Sequence, residues 1–321
     1  MARLLLFVLL SAAQAQPAKQ EWQEAFNAAM VKVDSQDFWT AERVLKRAHG
    51  FAARIGPESR EMALTLNALA AVCQHVGRPV QAERYYLQAL SVYEGASETE
   101  GKALATVSNN LARLYLENGR TADAEKLLRR ALAARHGAAD HPDLELVRTY
   151  EYLFIATYAR KDYQAARSVS GRTLEFCRQV FGPEHPETAL ALNDRGVLDI
   201  GLGQSTEAIA YLTEALAIME RAHGRGHPGT VRILGNLGWA YYRAGETGRA
   251  ELLLGEAVQS ADAAFGAEDI QTAALLYKYA VVLRKLRRKP EARRFRKRSD
   301  EIFAKSPRLS PMDLTINYGH R

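Results

Sequence analysis

The sequence predicts an all-α chain of about six to seven helix-turn-helix pairs, all of one design and stacked in line. Three observations carry this. The stretch IGPESREMALTLN at 55–67 and the stretch FGPEHPETALALN at 181–193 agree at eight of thirteen positions over a shift of 126 residues, three times 42. Stepping by 42 from Ala82 reaches Ala124, Ala166, Ala208, Ala250 and Ala292 without a gap. Within one period Ala63, Leu66, Leu69, Ala70 and Cys73 fall at three-and-four spacing, Gly77-Arg78-Pro79 breaks the rhythm, and Ala82, Tyr86, Ala89 and Leu90 resume it. That is the pattern of two amphipathic helices around a breaker. The 321 residues therefore read as one repeat array, in which each pair buries its apolar face on its neighbours, and not as the two ordinary domains that length suggests.

The elements follow in order. Arg3, the apolar run Leu4 to Ala13 and the small-x-small triplet Ala13-Gln14-Ala15 read as a signal segment over 1–15, with the mature chain starting at Gln16. The run has about half the apolar length that a bilayer span needs. An exported chain, periplasmic or secreted, is the expectation. Residues 16–54 form a degenerate leading pair with Trp22 and Trp39, in which Ala41 stands one residue out of register. Six 42-residue repeats fill 55–304. The alanine column lets second helices approach first helices closely. A second column, Gly77, Gly119, Lys161, Gly203, Gly245, Arg287, ends each first helix where left-handed backbone is required. A third runs Leu90, Leu132, Leu174, Leu216, Val258, Asp300, and both decay in the last repeat, as a solvent-facing cap does. His141-Pro142, His185-Pro186 and His227-Pro228 open first helices, where proline costs no hydrogen bond. Residues 305–321, with Pro307 and Pro311, read as a flexible tail.

The pattern G-x-E-H-P-x-T-A-x-x-L-N, followed by leucine-alanine, glycine, alanine-glutamate and alanine-leucine, resembles the 42-residue tetratricopeptide repeat of the kinesin-light-chain type. The resemblance covers about residues 55–304. It implies a right-handed superhelix whose first helices line a concave groove for a peptide or an extended segment of a partner, and it implies no catalytic residue. Repeat three departs most, with Lys161 in the glycine column and Arg167 in the glutamate column.

The residues point to no chemistry of their own. Two cysteines exclude a disulfide framework, a four-cysteine zinc site and an iron–sulfur cluster. The sequences H-E-x-x-H, G-x-x-x-x-G-K-[ST], G-x-S-x-G and C-x-x-C do not occur. The recurring histidines hold equivalent places in different repeats, about 10 Å apart by helix packing, whereas zinc takes ligands at about 2 Å. They read as helix-start residues. Cys73 and Cys177 lie two repeats apart and read as buried free thiols. No cofactor, metal or enzymatic activity is expected.

Helical geometry then selects an inward stripe on the first helices. Asn67, Asn109 and Asn193 share one of its columns, where the resemblance implies hydrogen bonds to a bound peptide backbone; an amide both donates and accepts. Arg113 lies on the same stripe. Toward the carboxyl end Trp239, Tyr242 and Tyr277 mix with Arg232, Arg243, Arg284 and Lys285, a mixture that favours a segment carrying carboxylates and an aromatic or aliphatic anchor.

The formal charge of +6 is local. From Lys278 to Arg298 there are eleven basic residues and one acid, so this segment carries +10 and the rest of the mature chain −5. Arg287, Arg288, Lys289, Arg293, Arg294, Arg296 and Lys297 are too many for one buried face. A soluble end cap, an anionic lipid or other acidic polymer, and nucleic acid compete for them; export demotes nucleic acid. The functional expectation is an exported, non-catalytic scaffold that binds an extended segment of a partner protein, the alternative being an envelope tether docking on anionic lipid through the basic last pair.

Overall fold

The turn inside each helix pair is built on one residue of left-handed backbone. Gly77, Gly119, Gly203 and Gly245 have φ of 75°, 73°, 76° and 87°, and Lys161 and Arg287, which replace glycine in that column, take φ of 61° and 64°. At the first of these turns Gly77 N–H donates to the Gln74 carbonyl at 3.1 Å and Arg78 N–H to the Cys73 carbonyl at 2.8 Å. The two bonds satisfy carbonyls that a helix leaves open at its end. Lys161 and Asp162 repeat them, as do Arg287 and Arg288, so the turn survives where glycine is lost. Gln36, at φ 59°, makes the same bonds in the leading pair with Asp37. It is one residue late for the column, as Ala41 is, so the leading pair is a copy of the repeat displaced by one.

The computed structural model describes residues 2–94, 101–133 and 144–305, with side chains from Gln16 onward. Among them every regular element is an α-helix. The leading pair is α1 (Ala2–Asp34) and α2 (Phe38–Ile55). The six repeats supply α3 (Arg60–His75) and α4 (Pro79–Glu94), α5 (Gly101–Glu117) and α6 (Thr121–Ala133), α7 (Leu144–Ala159) and α8 (Tyr163–Val180), α9 (Pro186–Gly201) and α10 (Ser205–His223), α11 (Pro228–Arg243) and α12 (Thr247–Phe265), and α13 (Ile270–Lys285) and α14 (Lys289–Lys305). The expected tail from 306 and residues 141–142 lie outside the described residues, as do the side chains of the expected signal segment. No helix among the described residues is long and apolar enough to cross a membrane.

Two compact units divide the chain. The first holds α1 to α4 with most of α5 and α6. In it α1 packs on α2 and α3, α2 on α3, and α3 on α4. Its core joins Ala29, Ala41, Leu45, Leu69 and Val72, flanked by Phe26 and Phe38. The second unit holds α7 to α14. Each helix there packs on the next, and the first helices α7, α9, α11 and α13 also touch in series. All alanines of the column are buried. Glycine deepens the same seam: a Cβ on Gly196 would lie 2.5 Å from Leu212 Cγ, and one on Gly238 2.8 Å from Leu254 Cγ. At the far end Ala273, Leu276, Ile302 and Phe303 pack α14 down on α13.

Four first helices, α3, α9, α11 and α13, start on side-chain caps. Ser59 Oγ accepts from Met62 N–H at 3.2 Å, His185 Nδ1 from Glu187 N–H at 3.2 Å, His227 Nδ1 from Gly229 N–H at 3.1 Å, and Asp269 Oδ1 from Gln271 N–H at 2.8 Å. His185 and His227 are therefore helix caps, with proline directly behind them. Burial, then His223 and Arg232, lower the His227 pKa, which favours the neutral ring that an accepting Nδ1 requires. Cys73 and Cys177 are buried and free, and burial above all pushes the Cys177 thiol up to about 12.

Candidate functional site

Trp239 and Tyr242 stand three residues apart on α11, the spacing at which helical side chains meet. Their rings stack at 4.9 Å between centroids and 24° between planes. Both rest half-buried on the core of the second unit. Arg243 ends α11, and Arg284 and Lys285 end α13, where the helix dipole favours cations. All three are exposed, and none has an ion pair among the described residues. From α7, Tyr158 reaches toward the same end of the first helices. Its hydroxyl fills the place over Gly201 on α9, where a Cβ would lie 2.5 Å away. Burial, with a smaller contribution from Tyr163, pushes the Tyr158 pKa up to about 12, against the charge of Arg243. Tyr158, Gly201, Tyr242 and Arg243 thus bring three first helices to one aromatic and basic edge.

The remaining stripe residues are used differently. Asn236 Nδ2 donates to Asn193 Oδ1 at 2.9 Å, and Lys278 Nζ donates to Asn236 Oδ1 at 3.0 Å. Lys278 is 5% exposed, and burial alone lowers its pKa to about 8. Beside this seam lies a charge cluster. Burial first, and then Glu151, hold the Asp194 carboxyl well above the usual range, opposed by Arg232 and by the Asn193 amide. Arg232, half-buried on α11, has its pKa lowered by burial against the pull of Glu151 and Asp194. In the first unit Asn110 Nδ2 donates to Asn67 Oδ1 at 3.0 Å, and Arg113 Nη2 donates to Gln74 Oε1 at 3.2 Å. Asn109 and Asn193 are each 2% exposed. Asn67 and Asn193 therefore join one first helix to the next, Arg232 lies among the charges of Glu151 and Asp194, and burial leaves little of Asn109 or Asn193 for a bound main chain.

Tyr277 is separated from the other two rings in its contacts. The Arg296 guanidinium covers it at 4.6 Å from the ring centroid. The basic last pair is likewise more committed than its sequence suggests. Lys278 is buried, Arg288 bonds Glu251 and Glu291, Arg296 bonds Asp300 at 2.8 Å, and Arg298 bonds Asp262 at 2.6 Å. Lys297 lies 3.8 Å from Glu301, and Arg294 stacks 4.9 Å from the Phe295 ring. Arg287, Lys289 and Arg293 are exposed without an ion pair among the described residues. The stretch of +10 is therefore divided: five of its basic residues are buried or paired, and Arg284, Lys285, Arg287, Lys289, Arg293 and Arg294 are exposed without an ion pair among the described residues.

Residues 61–135, 146–221 and 195–263 match the family model of the tetratricopeptide repeat. The chain belongs to the tetratricopeptide repeat family. This tetratricopeptide repeat chain superposes on the apo form of RapI with a TM-score of 0.72 at 12% identity, over 90% of its own length and all of that chain. A Rap protein complexed with competence and sporulation factor gives 0.53 at 14%, over 90% of this chain and 99% of the other. Nearly identical repeats of a putative kinesin light chain from Podosopora anserina give 0.50 at 23%, over 65% and 99%. At these identities the likeness is one of fold. In sequence the chain is 20% identical over 143 residues to a clustered mitochondria protein homolog of Aspergillus niger, spanning 44% of this chain and 11% of that protein.

Sequence reasoning missed Tyr158, Glu151, Asp194, Asn236 and Lys278. The signal was available for the last three. Reading the column after the asparagines gives Ala68, Asn110, Tyr152, Asp194, Asn236, Lys278, a series that is polar in every repeat after the first. Among the described residues no three His, Cys, Asp or Glu side chains are grouped as metal ligands.

Proposed function

We propose that this protein is a non-catalytic interaction scaffold whose first-helix face in the second unit holds an extended segment of a partner protein. One observation carries the reading: the stacked Trp239–Tyr242 pair lies near the end of α11, which closes on Arg243, and the next first helix, α13, packs on α11 and closes on Arg284 and Lys285, cations that have no ion pair among the described residues. Stacked rings give apolar area at small entropic cost, and arginine with tryptophan and tyrosine supplies most binding hot spots. The favoured segment carries carboxylates for the three cations and a ring or aliphatic anchor for the aromatic pair. A Rap protein of the same fold in complex with competence and sporulation factor supports partner binding as a use of such a face. The signal-like residues 1–15 support export, with the mature chain starting at Gln16.

Affinity capture by the mature chain, read by mass spectrometry, tests this. Trp239→Ala with Arg243→Glu is expected to lose the captured partner while Arg293→Gln keeps it. Equal capture by all three chains refutes the placement.

A further inference from the structure

The first unit carries an exposed edge that the groove reading does not use. Trp39 is 72% exposed at the start of α2, and Val80 is 81% exposed at the equivalent place in α4. Leu87 continues the α4 face, and Val31 on α1 is also exposed. In the later repeats that second-helix position holds Ala122, Gln164, Thr206, Gly248 and Pro290, so large apolar side chains there are peculiar to the first two pairs. Arg78 ties the two helices together: its guanidinium lies 5.6 Å from the Trp39 ring centroid and bonds Glu42. Beside it opens a shallow depression of about 450 Å³, lined by Arg78, Pro79, Val80, Gln81 and Arg84.

The charge around this edge is one-sided. Arg43 and Arg47 follow Trp39 at spacings of four along α2, and Arg84 follows Val80 in the same way along α4. All three are exposed and have no ion pair among the described residues; Arg84 only stacks on Tyr85, at 5.4 Å. On α2 and α4 the carboxylates nearby are engaged, while Asp34 at the end of α1 is exposed. Glu42 bonds Arg78 and Lys46, Asp37 caps α2, and Glu83 accepts from the Tyr115 hydroxyl. An exposed tryptophan and valine bordered by unpaired arginines match the boundary between headgroups and acyl chains, where an indole sits at the interface and arginine meets phosphate. A solvated helix face has no use for an exposed tryptophan and valine in register on neighbouring pairs.

We propose that the α2–α4 edge of the first unit docks on an anionic phospholipid bilayer, with Trp39 and Val80 entering the interface and Arg43, Arg47 and Arg84 on lipid phosphates. This is independent of the groove in the second unit.

The test uses the full chain with vesicles of equimolar phosphatidylglycerol and phosphatidylcholine, against vesicles of phosphatidylcholine alone, at low salt. Sedimentation measures binding and tryptophan emission reports insertion. Trp22 is buried and Trp239 half-buried, so Trp39 dominates any blue shift. Binding to the anionic vesicles with a blue shift, reversed by salt, is the expected result. Trp39→Ala with Val80→Ser removes the shift and most of the binding. Arg43→Gln with Arg84→Gln lowers the partition roughly thirtyfold, from two surface charges. These positions are exposed, so unchanged helicity and Tm confirm that the variants fold. The apolar run Leu4 to Ala13 is present in every chain, so only differences between variants count. Arg287→Gln with Arg293→Gln is expected to change nothing. An excess of binding to anionic over neutral vesicles that is the same in Trp39→Ala with Val80→Ser as in the parent chain, that falls with the α14 variant, or that is absent overturns the proposal. So does a blue shift produced by an acidic peptide and not by vesicles, which marks a protein-docking face.

Discussion

Lys278 shows most directly how a single residue is governed by its surroundings. Its ammonium is buried, hydrogen-bonded to one amide, and its pKa is lowered from 10.5 to about 8. A lysine with a depressed folded pKa binds its proton more weakly in the native state than when unfolded. Stability from this group is therefore full above the unfolded value, declines as pH falls through about 8, and is lowest below it. Between those limits the difference is on the order of 3 kcal/mol. Urea unfolding is expected to show the second unit gaining stability from pH 8 toward pH 10. Lys278→Met should flatten that rise, and an unchanged slope would remove the assignment. The lysine was visible in the sequence only as part of a basic run. Its position just after the stripe column places it against the next first helix, and a periodicity argument anchored on Leu69 fixes the face toward the partner helix without fixing how far each pair rotates on the next. For the same reason Asn193 and Arg232 were legible as stripe residues while their partners, Asn236 and Asp194, were not.

At the scale of the element the sequence was most informative about the turn. Glycine at 77, 119, 203 and 245 announces a left-handed residue, and six equivalent turns keep that geometry. The hydrogen-bond pair at the end of the first helix dictates the conformation, and the side chain follows. Lys161 and Arg287 therefore hold φ values of 61° and 64° that L-residues adopt at a cost of about 1 kcal/mol. Lys161→Gly and Arg287→Gly are expected each to raise stability, by somewhat less than that because glycine gains entropy in the unfolded chain. Thermal unfolding measures it. A fall in Tm for both would show that their long side chains contribute more through packing than the backbone loses. The offset of Gln36 and Ala41 belongs here as well. A register shift of one residue conceals a repeat from column counting and leaves its backbone unaltered, which is why the leading pair looks degenerate in sequence and regular in structure.

At the scale of the molecule, the number of helix pairs and their order were readable because each pair repeats one solution to one packing problem. The uses of the surfaces were less so, since free and paired arginines have the same sequence signature and are separated only by where Glu251, Asp262 or Asp300 falls in space. Repetition also predicts how the second unit fails. Its helices pack on the next helix and first helices on the next first helix, so stability there is a sum of pair terms and nearest-neighbour terms. Ala208 is fully buried in the seam of α10. Ala208→Leu is expected to overpack that seam at a cost of about 1–3 kcal/mol. In a linear array the cost is felt first by the flanking pairs. Hydrogen exchange should lose most protection in α9, α10 and α11 and progressively less in α12 to α14. A uniform loss from α7 to α14 would mean that the unit opens as one cooperative body, and that the nearest-neighbour account does not describe it.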